Sequence, residues 1–154
     1  GVGEALVELI RAGVQYLAIW LGLQVLFEES EEAEGARGLA VFRGRVRRLR
    51  PGLDPATGRP HPLPHMGWNT VEPRARTGAG AALPERAAHF YFAHSYAAAP
   101  DDPSLVAGVS VYGEPFAAAV ARDNVLGIQF HPEKSQREGL HLLSRFFDAA
   151  LGGS

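Results

Sequence analysis

Hydrophobic and polar positions follow two different periods along this chain, and the changes of period mark out its elements. Residues 4–12 ("EALVELIRA") place Leu6, Leu9 and Ile10 on one helical face, and Gly13 supplies a stop. Tyr16, Leu17, Ala18 and Ile19 form an unbroken apolar run, as in a strand buried on both faces. A helix is expected to start at Leu23 and reach Glu29, with acids clustered behind its apolar face. Residues 29–38 ("ESEEAEGARG") read as a loop, and residues 39–52 as strand, Gly44, strand, with Arg43, Arg45 and Arg47 on one face. Residues 50–64, rich in proline and glycine, form a surface connection, and residues 73–86 form a second loop.

Between and after these loops the period is two. "HMGWNTVE" and the aromatic-rich "AHFYFAHSYA" each read as one strand. "LVAGVSVYG", "PFAAAVARDN" and "VLGIQF" are three more, joined by turns carrying Gly-Glu and Asp-Asn. A closing helix spans residues 136–151, with Leu140, Leu143, Phe146 and Phe147 as its apolar stripe. The order is helix, buried strand, helix, several antiparallel strands, then a final strand and helix. That order predicts an α/β sheet with antiparallel additions. A helix that feeds a buried strand is normally the second half of a βαβ unit, so a first half is expected upstream of Gly1.

Composition narrows the function classes. With 154 residues, 46% hydrophobic and 21% charged, the chain fits one ordinary globular domain with a single core. A net charge of −2 gives no reason to expect nucleic acid as a partner, so the three arginines read as a solvated strand face. No apolar run approaches the roughly 20 residues that span a membrane, and no secretion signal is expected. There is no cysteine, which excludes disulfides, zinc–thiolate sites and thiol chemistry, and fits a cytoplasmic protein.

Two segments carry candidate chemistry. Ala18-Ile19-Trp20-Leu21-Gly22 has the frame of a nucleophile elbow, in which small flanking residues let a strand turn sharply into a helix. Its centre, where a nucleophile would stand, is tryptophan. The second is "QFHPEKS", directly after a strand. His131 can act as a general base, with Glu133 orienting its imidazole and Pro132 stiffening the backbone between them. An isolated His-x-Glu reads sooner as a histidine capping a strand end beside a surface glutamate. No third residue stands at a metal-ligand spacing, so neither a metal nor a cofactor is expected.

Taken together, "YLAIWLGLQVLFEESEEAEGARGL", "PHMGWN", "YFAHSY" and "LGIQFHPEKS" resemble, in that order, the glutaminase subunit of imidazole glycerol phosphate synthase. That subunit is a class I, triad-type glutamine amidotransferase with a flavodoxin-like mixed sheet and helices on both faces. The resemblance covers nearly the whole chain. It implies hydrolysis of L-glutamine by a Cys-His-Glu triad, with the ammonia passed to a cyclase subunit in histidine biosynthesis. His131 and Glu133 match the base and its orienting acid, and Trp20 stands at the nucleophile position. Gln24 matches the glutamine of the elbow helix that holds substrate, and Ser95 and Tyr96 match the segment receiving the substrate's amino-acid end. Met66, Gly67, Trp68 and Asn69 match a stretch near the cyclase interface, with Lys134 beside it.

The departures shape three readings. The family's elbow begins with glycine and centres on cysteine, where this chain has Ala18 and Trp20. The resemblance also implies first βα units and an oxyanion loop upstream of Gly1, roughly 60 residues at about 30 per unit. The chain is thus read as a shortened and altered glutaminase, as a non-catalytic partner retaining the cyclase-binding surface, or as a stand-alone α/β binding domain. Under the family reading, His131 should face the indole of Trp20. Reverting Trp20 to cysteine and Ala18 to glycine is then expected to relieve crowding and stabilise the fold, unless the indole has become part of the core.

Overall fold

The computed structural model describes residues 1–74 and 76–152. It opens with α1 (Val2–Arg11). Gly13, at φ +92°, ends the helix in a left-handed cap: its N–H donates to Ile10 O, and the N–H of Val14 donates to Leu9 O. The chain then enters β1 (Tyr16–Ile19), which runs parallel to β9 (Val125–Ile128) in the register Tyr16 to Val125 and Ile19 to Ile128.

The helix expected over 23–29 is a single turn, α2 (Leu21–Gln24), and the strand expected before Gly44 is absent. One set of hydrogen bonds accounts for both corrections. The N–H groups of Leu39, Phe42 and Ala40 donate to the carbonyls of Val25, Leu26 and Phe27. Those carbonyls would otherwise propagate the helix, and those amides would otherwise pair in a sheet. Beyond α2 come the short β2 (Glu29–Ser30) and β3 (Gly44–Arg48), paired in parallel. Arg43 and Arg45 are exposed as expected, whereas Arg47 is half-buried and paired with Glu114.

"HMGWNTVE" forms β4 (His65–Pro73), and the connection over 50–64 carries no helix or ladder strand. The loop over 73–86 holds one 3-10 turn (Gly78–Ala82); its residue 75 lies outside the described residues. The single strand expected over 88–97 is two, β5 (Ala88–His94) and β6 (Tyr96–Pro100). They break at Ser95 because they serve different partners: β5 pairs with β4, and β6 pairs with β3 and with β8 (Glu114–Arg122). The three last strands are as expected, β7 (Val106–Tyr112), β8 and β9.

The sheet forks at β8. One edge of β8 carries β7, which leads to β4 and β5; the other meets β6 at Ala117 and β9 from Ala119 to Arg122. β1 closes the β9 branch. Period-two alternation along β1 and β9 then feeds two cores. Tyr16, Ala18 and Val125 pack with Ile10, Leu23 and Leu26 under α1 and α2. Leu17, Ile19, Leu126 and Ile128 pack with Leu142 and Phe146 of α3 (Gln136–Gly152) on the opposite face. The expected α/β architecture with helices on both faces is present.

The stripe expected on α3 is rotated. Gly139, Leu142 and Phe146 are buried, while Leu140 and Phe147 are more than half exposed. Gly139 sets that face: a Cβ there would stand 1.8 Å from the carbonyl oxygen of Pro132. Backbone contact at this glycine turns residues one position away toward solvent.

Candidate active site

β1, α2 and the turn after β9 converge at one end of the sheet. Trp20 follows the last residue of β1 with φ +52° and ψ −105°, a conformation that a bulky L-residue adopts only under constraint. It is held there on both sides. Its N–H donates to Ile128 O at 2.8 Å, and its carbonyl accepts from Gln24 N–H at 3.3 Å to open α2. Ala18 is buried, and a Cβ built on Gly22 would lie 3.7 Å from the Ala18 methyl, an ordinary contact. The methyl of Ala18 lies in the core under α2, with ordinary space between it and residue 22.

His131 follows β9 and is nine-tenths buried. Its N–H donates to Tyr91 O at 2.9 Å, and its Nδ1 lies 2.7 Å from Oε1 of Glu133. A neutral imidazole protonated on Nδ1 donates to that carboxylate and leaves Nε2 free to accept a proton. The ring faces the indole of Trp20, with centroids 5.6 Å apart and planes tilted by 41°. The 3-10 turn Pro132–Lys134 carries Glu133 at the surface. Ser135, almost fully buried, ties the turn down: its hydroxyl donates to His131 O and accepts from Tyr91 N–H at 2.9 Å.

The structure thus brings Trp20, His131 and Glu133 together, and Gln24 lies on the same helical turn that Trp20 opens. Gln24 is buried, and it helps line a cleft of about 120 Å³ with Leu21, Glu29 and Arg37. α2 approaches both β9 and β6, and Tyr96, which opens β6, packs against the cluster of Leu23 and Leu26; Ser95, half-buried, lies at the break before it. Chemically, the arrangement offers a carboxylate-oriented base beside a strained strand-to-helix turn. The indole at that turn has no nucleophilic heteroatom for acyl transfer.

The remaining expected residues form an outer surface on β4 and the His131 turn. Met66 is largely exposed and Trp68 about half exposed; Trp68 meets Tyr91 edge-on at 6.1 Å, and Nζ of Lys134 lies 5.9 Å from the same ring. Tyr91 therefore joins the outer surface to the backbone of His131. Sequence reading did not single it out, although its place in "YFAHSY", opposite Trp68 on a paired strand, carries the signal. Asn69 differs from its neighbours: its amide is turned inward, donating to Val111 O at 2.8 Å. His65 and His94 were also not singled out, and both are buried nearby.

The profile of the class-I glutamine amidotransferase family matches residues 3–150. The imidazole glycerol phosphate synthase subunit HisH of Methylococcus capsulatus is 51% identical over 146 residues, covering 93% of this chain and 66% of that protein. HisH of Syntrophotalea carbinolica is 43% identical, with coverage of 96% and 71%. HisH of Pyrococcus furiosus is 39% identical, with coverage of 94% and 70%. The chain thus spans about two thirds of the length of these relatives. Among solved structures, PurLQS from Thermotoga maritima matches with a TM-score of 0.70 at 15% identity, over 96% of this chain and 67% of that one. A crystal structure of a glutamine amidotransferase matches with a TM-score of 0.65 at 18% identity, over 99% and 69%. These two similarities concern the fold, and the sequence identities carry the relationship further: the chain belongs to the class-I glutamine amidotransferase family, in the branch of the HisH subunit.

Proposed function

We propose that this chain derives from the glutaminase subunit of imidazole glycerol phosphate synthase, and that its site is laid out to hydrolyse L-glutamine and deliver ammonia to a cyclase subunit. The observation that carries the proposal is the His131–Glu133 pair at 2.7 Å, facing residue 20 at the strand-to-helix turn. In this reading Nε2 of His131 takes a proton from a nucleophile at position 20 and later returns it to the leaving amine, and Glu133 holds the imidazole in the required tautomer. Gln24, Ser95 and Tyr96 receive the substrate, while Met66, Trp68 and Lys134 face the cyclase. Histidine biosynthesis of this kind is cytoplasmic, with which the absence of cysteine agrees.

Trp20 favours a second reading for the chain as it stands. The indole is seated over an intact base–acid pair and cannot form an acyl-enzyme, so the chain serves as a non-catalytic partner of the cyclase. Both readings predict no turnover: glutamate release from glutamine, with cyclase and its ligand present, should equal a protein-free control. Measured turnover above that control removes the assignment of position 20 as the nucleophile. The readings part at rescue. The segment preceding the corresponding helix in the Methylococcus capsulatus relative, fused ahead of a Trp20→Cys chain, should release glutamate with the cyclase present, while the same fusion carrying Trp20 stays silent. A folded, cyclase-bound and inactive Cys fusion favours the non-catalytic partner.

A further inference from the structure

His65 and His94 lie side by side, each about 3% exposed, and His94 is near enough to His131 to feel its charge. Nδ1 of His65 is 2.9 Å from Nε2 of His94, and Nδ1 of His94 is 2.9 Å from the carbonyl oxygen of Tyr96. At the other end, Nδ2 of Asn69 is 3.3 Å from Nε2 of His65 and 2.8 Å from Val111 O. Oδ1 of Asn69 accepts from Thr70 N–H at 2.8 Å, which fixes the orientation of the amide.

Donor and acceptor roles follow without a free choice. A carbonyl oxygen only accepts, so Nδ1 of His94 carries a proton and, in the neutral ring, Nε2 accepts. His65 must then donate from Nδ1, which leaves its own Nε2 to accept from Asn69. Every bond runs one way, from Asn69 through His65 and His94 to Tyr96. A further proton has no place: on Nε2 of His65 it would oppose the Asn69 N–H, and on Nε2 of His94 it would oppose the His65 N–H. Burial, reinforced for His65 by its neighbour His94 and for His94 by the nearby His131, pushes the pKa of both rings down to about 4, against the opposing pull of the Tyr96 carbonyl on His94. Aromatic rings lock the orientations: His65 stacks on Tyr112 and Phe92 with centroids 4.1 and 4.9 Å away, and Phe116 flanks His94 at 5.0 Å.

We propose that Asn69, His65 and His94 form a one-directional hydrogen-bond relay that positions the Ser95 and Tyr96 backbone from the exposed strand β4, with both histidines as positioning residues. The two ends of the relay support this role. His94 immediately precedes the break between β5 and β6, and its ring folds back onto the carbonyl two residues later; Ser95 O in turn accepts from Leu49 N–H. Asn69 and His65 alternate along β4 with the exposed Met66 and Trp68. A displacement of β4 by anything docked on Trp68 is therefore carried to the strand break. The meaning of that break for substrate rests on the proposed function, in which Ser95 and Tyr96 receive glutamine.

Long-range proton–nitrogen spectra of the labelled chain test the relay itself. Both rings should be protonated on Nδ1 and bare on Nε2, unchanged from about pH 5.5 to 8. An Nε2–H tautomer on either ring, or a charge appearing near the ordinary imidazole value of about 6.5, overturns it. His65→Phe keeps the stacking and ends the relay. Amide exchange should then quicken about tenfold at Leu49 and Tyr96, the size of one lost hydrogen bond, and stay unchanged at Val120 and Leu126. A uniform change across the sheet would assign the ring to packing alone. Asn69→Asp replaces the donor with an acceptor, so His65 should gain a proton on Nε2; an unaltered His65 signal contradicts the proposal. Glutamine added to the unsubstituted chain should shift the Ser95 and Tyr96 amides. Absence of that shift overturns the substrate reading, while the tautomers still decide the relay.

Discussion

At position 20 the backbone and the side chain call for different residues. The turn holds φ at +52°, where a non-glycine residue costs about 1–3 kcal/mol, yet the indole is more than half buried and rests on His131. Ring contacts of that kind contribute about 0.5–1.5 kcal/mol beyond the area they bury. Trp20→Cys keeps the strained φ and loses the indole contact, so it should lower stability by about 1–2 kcal/mol. Trp20→Gly also relieves the backbone and should fall within about 1 kcal/mol of the parent. Urea midpoints decide the matter, and a cysteine variant more stable than the parent would mean that the indole is forced into its place. At Ala18 the buried methyl argues against the expectation from sequence: Ala18→Gly should cost about 1 kcal/mol, through the lost methyl and the added chain freedom. The elbow frame was legible because it depends on residue size at fixed spacing. Whether a methyl crowds or fills depends on distances that no spacing encodes.

Elements were legible where their own sequence decides them and illegible where a distant segment does. β1 and β9 carry continuous apolar runs, and Gly13 offers the positive φ that a left-handed cap needs, so those boundaries could be read directly. α2 could not, because the amides that cut it short come from residues 39–42, with no local signal in "LQVLFEE". The break at Ser95 is similar, since it reflects which strands lie beside β5 and β6. On α3, period 3.6 found the helix but not its buried face, which a single glycine selects. Gly139→Ala tests that account through opposing terms. Alanine favours an isolated helix by about 1 kcal/mol, but its methyl would stand 1.8 Å from Pro132 O, and relieving such overlap costs about 1–3 kcal/mol. Since the obstacle is backbone, the upper part of that range applies. The variant should be less stable by about 1–2 kcal/mol in urea, with the turn carrying His131 and Glu133 displaced. A more stable variant would show that α3 does not approach the turn so closely.

For the whole molecule, the buried histidine pair, packed on Phe92, Tyr112 and Phe116, is an acid-sensitive element. Each ring is neutral when folded, with its pKa pushed down to about 4 chiefly by burial, against about 6.5 in the unfolded chain. Between those values the unfolded state binds more protons, so stability must rise with pH across the window and fall as pH drops from about 6.5 toward 4. Each histidine contributes a slope of up to about 1.4 kcal/mol per pH unit there, and nothing above the unfolded value. Glu114 acts in a different range. Its carboxylate is held below its ordinary value of 4.5, chiefly by the hydrogen bond from Arg47, so its contribution is lost only as pH falls further, through that lowered pKa. The two windows allow the effects to be separated. Urea midpoints at about pH 7, 6 and 5 should decline steadily for the parent, decline about half as steeply for His65→Phe, in which the buried His94 remains, and decline as in the parent for Glu114→Gln. A parent curve that stays flat from pH 7 to 5 would mean that the pair takes up protons as readily folded as unfolded. Such a pair could not lie in the desolvated, ring-lined position between β4 and the strand break.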